Sequence, residues 1–204
     1  MCSNDELVRR LIKNGRLKSP KLIAAFRAID RKDFVLPETQ DCAYEDHALG
    51  IGYSATISQP TTVAFMLEKL AASPGEKILD VGAGSGWTTA LLAQIVEEKG
   101  TVYGVETVPA LVAFGSNNLS KYKLPNATIV QATQNLGLPT KAPFNKILVS
   151  ASISQVPNEL MAQLGIGGTL VIPVGEALWQ VKKISQTQST ANKYPGFVFV
   201  PLQD

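Results

Sequence analysis

The run Ile78-Leu79-Asp80-Val81-Gly82-Ala83-Gly84-Ser85-Gly86-Trp87 constrains this chain most: an apolar segment of strand length ends in Gly-x-Gly-x-Gly and passes into a helical pattern. Glycines at such a turn allow a ligand to approach the backbone. Strand and helix patterns then alternate: strand 77–81, helix 87–97, strand 102–106, helix 109–122, strand 128–131 and strand 147–149. A short helix over 157–164, a Gly167-Gly168 turn into strand 169–174, and further short strands including 197–200 complete the pattern. Such alternation predicts an α/β, Rossmann-like fold with a mostly parallel, doubly wound sheet covered on both faces.

Two helical segments precede this core. Leu7, Leu11 and Ile12 recur at helical spacing until Gly15, and Ser19-Pro20 starts a segment carrying Leu22, Ile23, Phe26 and Ile29. The stretch 43–59 lacks periodicity and is expected to run as loop or short extended pieces. Pro60 then opens a helix with Val63, Ala64, Met66, Leu67 and Leu70 on its apolar stripe. With no repeat or linker-like segment, 1–204 reads as one domain: 1–58 a helical lead-in and substrate-side loop, 59–204 a cofactor-binding core with C-terminal strands.

The glycine spacing argues against a dinucleotide site, since the residue expected to be Gly or Ala two places after the next position falls on Trp87. Glu106, at the end of the following strand, is placed to accept hydrogen bonds from ribose hydroxyls. Asp80, just before the glycines, could hold the ammonium of an amino-acid moiety, directly or through water. An acid for a ribose and an acid for an ammonium suit S-adenosylmethionine better than a pyrophosphate. Without a ligand, the same residues would form only a tight strand-to-helix turn.

Composition sets the outer limits. At 45% hydrophobic and 18% charged residues, the chain can bury enough apolar surface to fold. A polar N-terminus and the lack of any apolar run of about 20 residues predict a cytoplasmic protein without membrane association. Cys2, Cys42 and the single histidine, His47, do not form a metal-binding pattern, so no metal is expected. A formal charge of +2 points to no polyanionic partner, although Arg9, Arg10, Lys13, Arg16, Lys18 and Lys21 cluster early in the chain. Such runs are usually solvated helix faces, and no nucleic acid is expected.

At this point the sequence resembles the protein-L-isoaspartate O-methyltransferase family along nearly its whole length. The resemblance rests on Ile51-Gly52 followed by Ala55-Thr56-Ile57-Ser58-Gln59-Pro60, the turn from Leu79 to Trp87, and Val102-Tyr103-Gly104-Val105-Glu106 with Val108-Pro109. It continues through Ala142-Pro143-Phe144, Gly167-Gly168, Leu170-Val171-Ile172-Pro173-Val174-Gly175 and Phe199-Val200-Pro201-Leu202. It implies a class I S-adenosylmethionine-dependent methyltransferase that esterifies L-isoaspartyl residues of damaged proteins, initiating their repair, and a monomer is expected. By position, Ser58 corresponds to the family's active-site serine, with Thr56 and Ile57 flanking it. Thr56, Ile57, Ser58, Asp80, Gly82, Gly84, Gly86 and Glu106 are the implied cofactor-binding set.

The sequence departs from the family pattern at four places. Thr133, within Gln131-Ala132-Thr133-Gln134, replaces the aspartate of a Gly-Asp-Gly turn that touches adenine; Ala55, Thr61 and Asn145 replace a glutamine, an aromatic or histidine, and an aspartate. A hydroxyl is a weaker acceptor than a carboxylate, so the first departure bears on cofactor affinity. Two rivals share the cofactor fold: a methyltransferase of another substrate, either a particular peptide aspartate or nucleic acid, and a relative that binds cofactor or peptide with little turnover.

Methyl transfer to a carboxylate needs no general base, because a carboxyl group of ordinary pKa near 4 is already ionised at neutral pH. It needs alignment of oxygen, methyl and sulfur at about 3 Å, with water excluded. Ser58 is therefore expected to orient the carboxylate; its ordinary alternative is a cap for the helix at Pro60. His47, without a nearby nucleophile in sequence, is expected to be a surface or loop-packing residue, and Trp87 to pack the helix it begins.

Overall fold

A computed structural model describes residues 3–202. Cys2 lies outside that range, and Cys42 is a half-buried free thiol. Helix α1 (Asn4–Lys13) opens with a capping box between Ser3 and Glu6 and buries Leu7, Val8 and Leu11, leaving its charged face to solvent. Helix α2 (Pro20–Ala28) begins at a proline, whose missing N–H costs nothing at a first helical position. Two 3-10 turns, Arg31–Phe34 and Pro37–Cys42, lead into 43–59.

That aperiodic stretch contains a small antiparallel hairpin, β1 (Leu49–Gly52) with β2 (Ala55–Ile57). Its turn residues Tyr53 and Ser54 adopt positive φ of 53° and 58°. Helix α3 (Pro60–Leu70) follows with Pro60 in its first turn. The core alternates β3 (Lys77–Val81), α4 (Trp87–Val96), β4 (Thr101–Glu106), α5 (Pro109–Ser120), β5 (Ala127–Gln131), β6 (Phe144–Val149) and α6 (Asn158–Gln163). It ends with β7 (Leu164–Val174), β8 (Ala177–Lys183) and β9 (Ser189–Pro195).

Among the described residues, the main sheet has seven strands in the order β5-β4-β3-β6-β7-β8-β9. The first five of that order pair in parallel and the last two join antiparallel, giving the predicted Rossmann-like, mostly parallel sheet. Neighbouring residues of β3 serve opposite faces: Ile78 joins Val102, Leu148 and the helices α1 to α5, whereas Leu79 and Val81 join Ile147, Val149 and Leu160 of α6. The lead-in packs into the first cluster through Leu7, Leu11 and Phe26. Among the described residues, no helix is long and apolar enough to cross a membrane.

The C-terminal region corrects the sequence expectation. β7 begins at Leu164, earlier than the expected 169, and its register against β6 shifts between Phe144 and Lys146. Residues 197–200 form no strand; Phe197 and Phe199 pack against the first core cluster, and Pro201 beyond them makes an isolated bridge with Ser152. β9 is the sheet's polar edge, almost wholly exposed, so burial imposed no apolar alternation on it.

Candidate active site

The strand order reverses its direction of growth at β3, with β4 on one side and β6 on the other, and a crevice opens where these strands end. There lies a cavity of about 890 Å³. Ser54, Ala55 and Thr56 of the hairpin, Gly82 and Gly84 of the turn, and Glu106 at the end of β4 all border it. The loop Ala132–Gly137 after β5, residues 150–159 from the end of β6 into α6, and Val200 to Leu202 also border it.

The three glycines serve different ends. A Cβ on Gly82, at φ +78°, would meet nothing nearer than Ser150 at 3.9 Å, so its smallness keeps the cavity floor open. Gly84 borders the cavity too, but a Cβ there would come within 3.2 Å of Ile51 Cδ1. Gly86 lies outside the lining: at φ +84° it begins α4, and a Cβ would stand 3.0 Å from the Gly115 carbonyl oxygen. Its size is required by the close approach of α5.

Glu106 is 7% exposed and tied to the turn. One carboxylate oxygen accepts from the Gly84 amide at 2.9 Å; the other accepts from the Thr107 and Val108 amides at 2.7 and 3.0 Å. The Thr107 hydroxyl adds a longer bond of 3.3 Å to the second oxygen, so these contacts fix the carboxylate at the cavity wall and leave the oxygen bonded to Gly84 with acceptor capacity for a ribose hydroxyl.

Asp80 is wholly buried beneath the turn and does not border the cavity. The Thr88 and Thr89 hydroxyls both donate to its Oδ2 at 2.7 Å, while Oδ1 has no hydrogen-bond partner. Burial pushes its carboxyl up to about 6, opposed by the two hydroxyl bonds and assisted by the nearby charge of Glu106. An unpaired buried carboxylate oxygen under a cavity is the observation that fits a cationic ligand group, reached directly or through water.

Of the three expected cofactor contacts at the hairpin, only one reaches the cavity. Thr56 borders the cavity; Ile57 is buried in the core at 4% exposure; Ser58 is half-buried and outside the lining. Ser58 follows Thr56 by two residues, the spacing that shares one face of an extended chain. The N-cap of α3 is Gln59, without a side-chain cap bond, so the ordinary use of Ser58 as that cap does not occur. The Ser58 carbonyl accepts from Arg31 Nη2 at 3.2 Å.

Other residues support this site without belonging to any sequence motif. Arg31 is completely buried, and its guanidinium also donates to the carbonyls of Ala43 at 2.6 Å and His47 at 3.0 Å, gathering the loop that leads to the hairpin. It lies 5.4 Å over the ring of Trp87, whose edge contact with Phe26 joins α4 to the lead-in. His47 itself is half exposed, 3.5 Å from the Glu45 carboxylate. On α5, Asn118 Nδ2 donates to the Ser85 carbonyl at 3.0 Å, and a Cβ on Gly115 would meet the Gly84 carbonyl at 2.8 Å. A glycine inside a helix costs about 1 kcal/mol relative to alanine, so Gly115 carried a readable signal of close packing.

A parallel sheet whose glycine turn and next-strand acid meet at the reversal of strand order is the architecture of the class I S-adenosylmethionine-dependent methyltransferases. The protein-L-isoaspartate(D-aspartate) O-methyltransferase family profile matches residues 2–204, and the chain belongs to that family. Protein-L-isoaspartate O-methyltransferases of Methanopyrus kandleri and Thermococcus onnurineus are 38% and 39% identical to it, over 98% and 96% of this chain and 91% and 90% of theirs. A Plasmodium falciparum structure described as a protein-L-isoaspartate O-methyltransferase in complex with S-adenosyl-L-homocysteine superposes with a TM-score of 0.90. It is 25% identical and the match covers 100% of this chain and 99% of that one.

Proposed function

We propose that this chain transfers a methyl group from S-adenosylmethionine to the side-chain carboxylate of L-isoaspartyl residues in damaged proteins and peptides. The observation that carries the reading is the meeting of Thr56, Gly82, Gly84 and Glu106 around one cavity, in a chain of this family. Glu106 would accept from the ribose hydroxyls, Gly82 and Gly84 would let the cofactor lie against the turn, and Asp80 would balance its ammonium from below. Gly86 supports that surface through α5, and Ile57 anchors the hairpin in the core.

S-adenosylmethionine supplies an electrophilic methyl group on a sulfonium. An isoaspartyl carboxylate oxygen forms the new bond to carbon as the carbon–sulfur bond breaks, leaving S-adenosylhomocysteine and a neutral ester, with no proton to move. The protein's part is to position the carboxylate and exclude water. Thr56 and the hairpin backbone offer donors at the cavity wall; Ser58, two residues beyond Thr56, outside the lining and held through its carbonyl by Arg31, would orient the oxygen that does not attack where the peptide extends past Thr56.

Transfer of labelled methyl to paired peptides, one containing L-isoaspartate and the other ordinary aspartate, tests the reading. Base-labile label on the isoaspartyl peptide alone is expected, with a rate reduced about 10-fold or more for Ser58→Ala. No label despite cofactor binding would overturn the activity, and equal rates for wild type and Ser58→Ala would move the orienting role to Thr56.

A further inference from the structure

Gln163, in the last turn of α6, is 4% exposed and straddles the loop that follows β5. Its Oε1 accepts from the Leu138 amide at 2.7 Å, and its Nε2 donates to the Leu136 carbonyl at 2.7 Å. A further bond from Nε2 to the Glu159 carbonyl, 3.0 Å away, ties the carboxamide to its own helix. One side chain thus gives the loop an acceptor and a donor on either side of Gly137, as a neighbouring strand would. Gly137 has φ +83°, and a Cβ there would lie 2.5 Å from Gln163 Oε1. The fit requires both residues.

This loop occupies a particular end of the cavity. Thr133 to Gly137 border it, and the loop starts where the Ala132 amide donates to the Glu106 carbonyl at 2.8 Å. β5 lies beyond β4 in the sheet, whereas Ser150 and Thr56 lie toward β6 and the hairpin. If Glu106 holds a ribose, the base attached to it faces Thr133–Gly137 and the methyl faces the other end. Thr133 itself accepts from the Asn135 amide at 3.3 Å, a bond within the loop. The loop's placement therefore depends on the grip at Leu136 and Leu138.

We propose that Gln163 is a positioning residue for the cofactor: its carboxamide sets the wall against which the adenine packs, without touching adenine itself. The inference rests on the reading of the cavity as an S-adenosylmethionine site. It separates the two substrates: loss of the grip should weaken cofactor binding while leaving the carboxylate's approach at the hairpin end unchanged.

The test is calorimetric titration with S-adenosylhomocysteine, thermal melting, and steady-state kinetics on an isoaspartyl peptide for wild type, Gln163→Met, Gln163→Glu and Lys183→Met. Gln163→Met is expected to raise the cofactor dissociation constant about 10-fold. At saturating cofactor its kcat and peptide KM should stay within about twofold of wild type. Gln163→Glu keeps the acceptor for Leu138 but turns a carboxylate oxygen toward the Leu136 and Glu159 carbonyls, and should show an equal or larger loss; if the methionine variant does not fold, Gly137→Ala, whose Cβ would meet Gln163 Oε1 at 2.5 Å, tests the same fit from the loop side.

Lys183 is the structural control, because its ammonium donates to the Met161 and Leu164 carbonyls at 2.7 Å, bracing the same helix away from the loop. Lys183→Met should lower the melting temperature and preserve cofactor affinity. Unchanged affinity in both Gln163 variants, or an equal loss in Lys183→Met, would overturn the inference alone. A wild-type chain that binds no S-adenosylhomocysteine would overturn the reading of the cavity, and this inference with it.

Discussion

At the scale of single residues, Asp80 couples the stability of the fold to pH. Its carboxyl is pushed up to about 6 in the fold, against about 4 in an unfolded chain. Between these values the folded state holds the proton more tightly, so Asp80's contribution to stability is present in full below about pH 4 and lost as pH rises through about 6. Asp80→Asn can still accept from Thr88 and Thr89 but cannot ionise. The stability of wild type relative to that variant should fall by about 2 kcal/mol between pH 4 and pH 7, measured by urea unfolding at each pH. Thr133 gives a second residue-scale test. A carboxylate there would offer adenine a stronger acceptor than the hydroxyl, so Thr133→Asp should tighten S-adenosylhomocysteine binding about 5- to 10-fold by calorimetry.

At the scale of elements, the glycine turn is held from behind as much as it is shaped by its own sequence. Gly115 and Asn118, one helical turn apart on α5, face the Gly84 and Ser85 carbonyls. A methyl group on Gly115 would also approach Ile129 Cδ1 to 2.7 Å, so Gly115→Ala must push α5 outward or the turn into the cavity. It should destabilise the fold by about 1–3 kcal/mol in thermal melts and weaken cofactor binding as well. The alternating core was legible because apolar runs of strand and helix length follow one another between glycine and proline turns: Lys77–Val81 carries Ile78, Leu79 and Val81, and Trp87–Val96 is apolar at most of its positions. Short extended pieces were expected at 43–59, but the pairing of Leu49–Gly52 with Ala55–Ile57 was not legible, because the strands are short and the turn uses non-glycine residues at positive φ. Gly82, Gly84, Glu106 and Thr56 could be found by spacing and resemblance. Gln163 and Arg31 could not, since their work is done on backbone groups that carry no sequence signature.

At the scale of the molecule, Arg31 joins the lead-in to the chemistry. It sits past the end of α2, is covered by Trp87 at the start of α4, and holds the carbonyls of Ala43, His47 and Ser58 together. Burial lowers its pKa to about 10, partly offset by the charge of Asp46, so it remains protonated at neutral pH. Asp46 in turn accepts from the Thr61 amide at 2.9 Å and the Thr61 hydroxyl at 2.6 Å, fastening the same loop to α3. The departure at Thr61 thus has a local use: its hydroxyl supplies one of the bonds that fix the loop. Removing the guanidinium leaves the buried Ala43 carbonyl and the part-buried carbonyls of His47 and Ser58 without this donor, at about 1 kcal/mol each. Arg31→Met should therefore cost about 2–4 kcal/mol in urea unfolding, while Arg31→Lys keeps the charge but cannot reproduce the planar set of donors and should recover only part of it. Because the loop ends at the substrate side of the cavity, Arg31→Lys should raise the peptide KM more than the cofactor KM in steady-state assays. The Gln163 variants should show the opposite pattern, and the two sets together would separate the ends of the cavity that the lead-in and α6 control.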